Sequence, residues 1–428
     1  MYGILTSMNN VMPRGSKQDH SIFDVIVIGG GASGLMAATV AAERGLRVLL
    51  LEKNRELGKK VRISGGGRCN ITNAEPDVRN LLKCYGEAEQ ALYAAFARFG
   101  VPETFDFFTT RGLSLVVEAN QRAFPETKKA ADVVRVFERS LNPAKVTVRT
   151  GATVTRVLSE GKRVVGVVVD GEVYRAGSYV LATGGVSHPE TGSTGDGFAW
   201  LTDLGHTVVA PSPTIVPLAT AEEWSHALAG KSVRAKITFF VEGKKAFAET
   251  GNILFTHFGI SGPTVLNAAA RVADLLWKGS VMARLDCFPE LDEGALDAVL
   301  LRHFDAEKNK SLRNVVRGML PGVATGILAA LPTIDPEKKV HSVTKEERRF
   351  LVRSLKGLPL TITGLMGFDR AVVADGGVLL TEVDTKTMRS RLLENLFITG
   401  DLLHIRRPSG GFSLQLCWTT GYVAGSGV

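Results

Sequence analysis

The stretch FDVIVIGGGASGLMAATVAAERGLRVLLLE, Phe23 to Glu52, decides the fold. Its opening run FDVIVI is short, apolar and rich in β-branched side chains, which suits a strand buried on both faces of a parallel sheet. The spacing Gly29-x-Gly31-x-x-Gly34 then opens a helix whose small apolar face is Ala37, Ala38, Ala41 and Ala42, and RVLLLE supplies a second strand ending on Glu52. Each glycine has its own task. Gly29 makes the tight turn, Gly31 lets the backbone approach a pyrophosphate, and Gly34 lets helix and strand pack closely. The first amides of the helix, around Ala32 and Ser33, offer unpaired N–H groups and a partial positive charge to that pyrophosphate. Glu52, followed by Lys53, is placed to accept from ribose hydroxyls, and its charge repels a 2′-phosphate. Strand, helix and acid agree, so the nucleotide is an unphosphorylated adenosine, FAD or NAD.

Three distant segments favour FAD. Ser64 to Asn70, SGGGRCN, follows the second strand. Thr147 to Gly185 reads as antiparallel strands punctuated by Glu160-Gly161 and Asp170-Gly171, then a buried strand ending at Thr183-Gly184. Near the C-terminus NLFITGD is an apolar strand ending in Gly400-Asp401, and PSGGFSLQLCWTTGYVAGSG offers a glycine pair and a helix beginning at Gly411 and Phe412. A cofactor that extends past the first βαβ unit needs such a second strand; NAD alone does not.

Composition narrows the class. The chain has 428 residues, 45% hydrophobic, enough for a full core in two or three domains. No window approaches a membrane span, and the start lacks the pattern of a secretory signal, so a cytoplasmic protein with a disordered extension over residues 1–21 is expected. Cys69, Cys84, Cys287 and Cys417 show no CxxC pair or zinc-like spacing, which argues against a disulfide framework, and no metal site is expected. The net charge of +8 is concentrated between Leu301 and Lys356, where 12 basic residues face 6 acidic ones, either a solvated helix surface or an attraction for anions.

At this point a resemblance is specific. GGGASGLMAA, LGKKVRISGGGRCNITN, ATGGVSHPETGSTGDG, LFTHFGISGP and the Gly-Asp…Gly-Gly-Phe C-terminus, in order from about Asp24 to Gly425, resemble the BaiN-like (YhiN-like) family of NAD(P)/FAD-dependent oxidoreductases, some of them described as aminoacetone oxidases. The resemblance implies an α/β fold: a Rossmann-like FAD-binding domain of the glutathione reductase structural type, interrupted by an inserted β-barrel and a small helical module. We expect the FAD domain over 22–207 and 357–428, the barrel over 208–290 and a basic helical module over 291–356. Pro211, Pro213 and Pro217 mark the crossing, and Thr344 with Glu347 forms a capping box.

The resemblance also places site residues. The loop Ser64, Gly65, Gly66 and Gly67 would run beside the flavin and ribitol, with Arg68 and Asn70 bonding cofactor or substrate, and Asp401 would bond the ribitol. Arg68 beside Cys69 would lower a thiol pKa, but no resolving partner is apparent and a flavin needs no thiol, so Cys69 is read as a bystander. His257 is a candidate acid or donor, or simply the turn of a barrel edge. His188 receives no catalytic role; Thr194, Gly195 and Asp196 would fix their loop near the cofactor. Arg406 and Arg407 would place two cations at the flavin entrance, or form a surface pair.

The implied activity is hydride transfer from reduced flavin to an activated C=C, with NADH or NADPH as transient donor, since a second GxGxxG is missing. Two alternatives stay open: a ribosomal RNA dihydrouridine synthase that reduces the uridine C5=C6 bond, and an O2-dependent, aminoacetone-like amine oxidase. The partner is a small-molecule or RNA substrate, with no membrane involved and no protein partner inferable.

Overall fold

A computed structural model describes residues 23–331 and 333–428. The extension over residues 1–21 lies outside them.

The first half is built on a seven-stranded sheet in the order Val383–Asp384, Arg389–Ser390, Leu396–Ile398, Ala176–Leu181, Phe23–Ile28, Val48–Glu52, Val146–Thr150. The last five are parallel. Their central members are continuous apolar runs because helices cover both faces. The opening strand pairs with Val48–Glu52 on one side and Ala176–Leu181 on the other, so Gly29, Glu52 and Ala182 emerge together at the carboxyl edge, where open α/β sheets bind ligands. Leu396–Ile398 joins the same edge and brings Gly400 and Asp401 to it from the far end of the chain.

The helix Ala32–Glu43 is buried along nearly its whole length. It packs on the C-terminal helix Phe412–Gly427, and the contact is possible only because of two glycines: a Cβ at Gly421 would lie 2.4 Å from Ser33 O, and one at Gly425 2.6 Å from Ala37 O. The expected meander is present as Val154–Glu160, Arg163–Val169 and Glu172–Tyr174. A second small sheet, Thr72–Asn73, Arg122–Pro125 and Leu115–Glu118, flanks the glycine-rich loop.

The second half is a closed six-stranded barrel: Leu218–Thr220, Gly259–Ser261, Lys244–Thr256, Ser232–Val241, Val281–Asp286 and Leu358–Leu365. This shifts the expected boundaries. Val208–Ile215 is not a barrel strand but pairs with Val373–Val378 in a two-stranded crossing. Leu358–Leu365, assigned from the sequence to the FAD domain, closes the barrel against Leu218–Thr220. The helices Glu293–Ala306, Leu312–Met319, Ala324–Ala329 and Lys345–Leu355 therefore sit between two neighbouring barrel strands, and they share one core with the barrel, Leu300 and Leu351 with Phe239 and Leu360. A reading by local pattern misses this because whole helices separate the closing strand in sequence from both of its barrel partners, Leu218–Thr220 and Val281–Asp286. The capping box forms: Thr344 Oγ1 accepts from Glu347 N at 3.2 Å and Glu347 Oε2 from Thr344 N at 2.7 Å. No helix among the described residues is long and apolar enough to cross a membrane.

Candidate functional site

A cleft of about 610 Å³ runs from the Gly29–Gly34 turn to the barrel. Its lining draws on the parallel sheet, the glycine-rich loop, the C-terminal helix and Pro263 and Leu266 at the start of the barrel helix Pro263–Leu276.

The three turn glycines differ in their surroundings. A Cβ at Gly29 (φ +107°) would lie 2.4 Å from Ala182 O, and one at Gly34 1.9 Å from Gly29 O, so both positions are closed by backbone. At Gly31 nothing lies within 4 Å; the space beside it belongs to the cleft. No side chain caps the helix at Gly31. Gly34 itself does not line the cleft; its role is packing.

Glu52 is buried at the cleft wall. Its Oε2 accepts from Gly30 N at 2.7 Å and its Oε1 from Asn54 N and Nδ2, both at 2.7 Å. Lys53 Nζ donates to Asp196 Oδ2 at 2.7 Å and to Thr194 Oγ1, which ties the Thr194–Asp196 loop to the second strand. His188 lines the cleft, with Nδ1 2.8 Å from Glu190 Oε1.

The loop Ser64–Gly67 is a turn with left-handed backbone at Gly65, Gly66 and Gly67. Gly65 is closed on one side by Asn70 N, 2.9 Å from a Cβ built there, whereas Gly66 faces open space. Ser64, Gly65 and Gly66 line the cleft; Gly67 does not. Asn70, its amide oriented to satisfy its neighbours, donates to Thr72 O (3.1 Å) and Ala123 O (3.2 Å) and accepts from Gly411 N (3.0 Å). It therefore pins the loop to the start of the C-terminal helix. Gly411 has no room for a side chain, since a Cβ would lie 2.2 Å from Thr72 C.

Cys69 is fully buried, and burial pushes its thiol up to about 12, against a hydrogen bond from Ser64. Arg68 does not activate it. The guanidinium lies over the Phe124 ring, 4.2 Å from its centroid, and pairs with Glu118 at 3.1 Å.

Several expectations need correction. His257 is exposed at the tip of the hairpin fixed by Thr256↔Gly259, outside the cleft lining, so it carries no catalytic role here. Phe412 is packed in the core, its carbonyl accepting from Tyr85 Oη at 2.8 Å, while its neighbours Gly411 and Ser413 line the cleft. Gly400 (φ +62°) is buried beneath it, donating to Thr420 Oγ1 at 3.0 Å, while Asp401, Thr183 and Gly184 line it. Arg406 and Arg407 do not guard an entrance. The Arg407 side chain is 1% exposed, bonded to Asp401, Ile405 O and Ser413; Arg406 points outward, 3.5 Å from Asp375.

Of the cations that line the cleft, the sequence reading named Lys53 and Arg68 and missed Lys59, Lys60 and Arg122. Lys60 Nζ donates to Ser187 Oγ at 3.1 Å, and burial lowers its pKa against the opposing pull of the Asp401 carboxylate. Its only sequence signal was membership of LGKKVRISGGG. Among the described residues no cluster of three His, Cys, Asp or Glu side chains could hold a metal ion.

These residues fit FAD. Open space beside Gly31, the uncapped amides of Ala32 and Ser33 and the bound-in carboxylate of Glu52 suit the phosphates and a ribose. Asp401, the Ser64–Gly66 loop and Gly411 line the remaining length.

The model of the HI0933-like protein Rossmann domain matches residues 23–427. A 3-dehydro-bile acid delta(4,6)-reductase of Clostridium scindens is 33% identical over 404 residues, covering 93% of this chain and 97% of its own. A ribosomal RNA dihydrouridine synthase of Escherichia coli is 28% identical over 405 residues, 94% and 96% of the two chains. Among solved structures, a 3-ketosteroid-delta4-(5alpha)-dehydrogenase of Rhodococcus jostii RHA1 shares the fold, with a TM-score of 0.54 at 15% identity over 96% of this chain and 97% of that one. With a family match along almost its whole length, the chain belongs to the HI0933-like Rossmann family and is an FAD-dependent oxidoreductase.

Proposed function

We propose that the chain is a reductase that saturates an activated C=C of a small conjugated substrate, with NADH or NADPH as the electron donor. The observation that carries this reading is the composition of the cleft beyond the Gly29–Gly34 turn. It is lined there by apolar side chains turned to solvent, Ile63 at 46% and Val372 at 50% exposure, together with Phe124, Leu266 and two arginines. Apolar walls with a few placed polar groups suit a small, largely apolar ligand. The names of the two relatives, a delta(4,6)-reductase and a dihydrouridine synthase, both describe saturation of a C=C bond, which supports the same class of reaction.

Bound FAD supplies the hydride chemistry. The chain's residues hold and shape the site. The turn amides and Glu52 fix the nucleotide end, Asp401 is oriented by Arg407, and Asn70 locks the glycine loop to the C-terminal helix. Pro263 and Leu266 bring the barrel helix to the cleft wall.

The dihydrouridine synthase reading remains the second one, because that relative is matched along 96% of its length. The test is anaerobic. NADH or NADPH is expected to bleach the visible band of the bound flavin, and a conjugated enone to restore it. Bleaching by neither donor removes the nicotinamide part. Recovery only with uridine-containing ribosomal RNA transfers the proposal to the second reading.

A further inference from the structure

The strand Arg122–Pro125 is the middle member of the small sheet beside the cleft, and strand alternation puts Arg122 and Phe124 on its cleft-lining face. Glu118 is the cross-strand partner of Arg122, yet its carboxylate is taken by Arg68 at 3.1 Å and Lys128 at 3.0 Å. Two cations thus take up the one acid. Arg122 is the one left over: among the described residues no carboxylate lies within ion-pair distance of it, and its Nε is buried with no hydrogen-bond partner. Buried guanidinium N–H groups are normally satisfied, and a group in a cleft that nothing in the protein satisfies is available to a ligand. Phe124, on the same strand face, and Leu266 and Val372 add apolar wall to the same cleft.

We propose that Arg122 is the substrate-anchoring cation, and that the substrate is a flat molecule whose C=C is conjugated to an oxygen that bears or gains negative charge, a carboxylate or an enone carbonyl. This rests on the reductase reading. Hydride adds to the β-carbon, the C=C electron pair moves toward the oxygen that Arg122 holds, and a proton from water completes the α-carbon; the two electrons come from the nicotinamide donor. A planar, always-charged fork whose Nε is already withdrawn from water stabilises that oxygen more as its charge grows.

The test is binding to the oxidised FAD-loaded enzyme, read as perturbation of the flavin's visible absorbance by cinnamate, benzylideneacetone and cinnamyl alcohol. The wild type is expected to bind the first two in preference to the alcohol. Arg122→Met is expected to weaken cinnamate about 10- to 100-fold, the range of a lost charged hydrogen bond, to weaken benzylideneacetone less, and to leave the alcohol and the FAD content unchanged. Arg122→Lys should recover part of the cinnamate affinity. Loss of FAD from Arg122→Met would assign the residue to the cofactor and overturn the proposal, as would equal weakening of all three probes or no preference in the wild type. Retained preference for cinnamate alone assigns the site to carboxylates; retained preference for both oxygens supports the wider class. Because binding is measured without turnover, failure of the reductase reading shows separately, as reduced enzyme that no conjugated alkene reoxidises.

Discussion

The Glu52 carboxylate reaches back 22 residues to accept a hydrogen bond from Gly30 N at 2.7 Å, inside the very turn that opens the nucleotide helix. The acid at the end of the second strand therefore organises the glycine turn as well as facing the cleft. Glu52→Ala leaves Gly30 N and the Asn54 amide without their acceptor. We expect FAD to be lost or held about 10- to 100-fold more weakly, measured as the flavin-to-protein absorbance ratio after gel filtration. Full flavin retention would contradict the assignment.

Two glycine substitutions should separate packing from cofactor contact. Gly34→Ala drives a Cβ to 1.9 Å from Gly29 O, a backbone atom that cannot yield. It should cost about 3 kcal/mol or more and lower the melting temperature of the apo-protein. Gly66→Ala meets no atom but must keep φ near +68°, a cost of about 1–2 kcal/mol. Its larger effect should appear in FAD affinity.

Arg407 and Asp401 form a pair that neither can leave alone. Arg407→Met strands the carboxylate beside an apolar side chain and should destabilise the fold by about 3–5 kcal/mol, read in urea. Adding Asp401→Asn should restore part of that loss; strictly additive losses would show that the two do not act together.

Thiol chemistry follows burial. Cys84 is exposed, whereas burial pushes Cys69 and Cys287 up to about 12. A thiol reagent at pH 8 should modify Cys84 rapidly and Cys69 only after unfolding. Cys417 lines the cleft, so bound FAD should slow its modification. Cys69→Ala should retain flavin. Since the folded values of Cys69 and Cys287 lie above 9.0, the unfolded chain loses those protons first, and their contribution to stability, complete below pH 9, falls between pH 9 and about 12.

Lys60 gives the opposite slope. Its folded pKa lies below 10.5, so between the two values the unfolded chain holds the extra proton and stability rises with pH. The difference in urea midpoint between wild type and Lys60→Met apo-protein should shift in favour of the wild type as pH rises toward 10.5. A pH-independent difference would place Lys60 in an ordinary aqueous setting.

The nucleotide half was legible because its signals are local. A buried strand, a glycine turn, a small-residue helix and an acid follow one another within 30 residues, and period and spacing alone fix what they form. The same holds for the Thr344–Glu347 cap. The barrel boundary was not legible, because Leu358–Leu365 finds its partners across a whole helical segment, and no local pattern records which strand closes a barrel. The site failed where burial decides. LHIRRPSGG shows two arginines, but only packing sends Arg407 inward to Asp401 and Arg406 outward.

The sequence by itself determined the Gly29–Gly34 turn of a dinucleotide-binding βαβ unit, that Glu52 stands beside it, and that the loop at Ser64 and the strand end at Asp401 return to the same edge. Those are properties of backbone geometry, and glycine and strand patterns encode it directly. Only the tertiary structure decided which side chains face the cleft: Arg122 and Lys60 within it, His257 and Phe412 outside. That choice depends on register and on which charges find partners first, and both are settled between segments far apart in the chain.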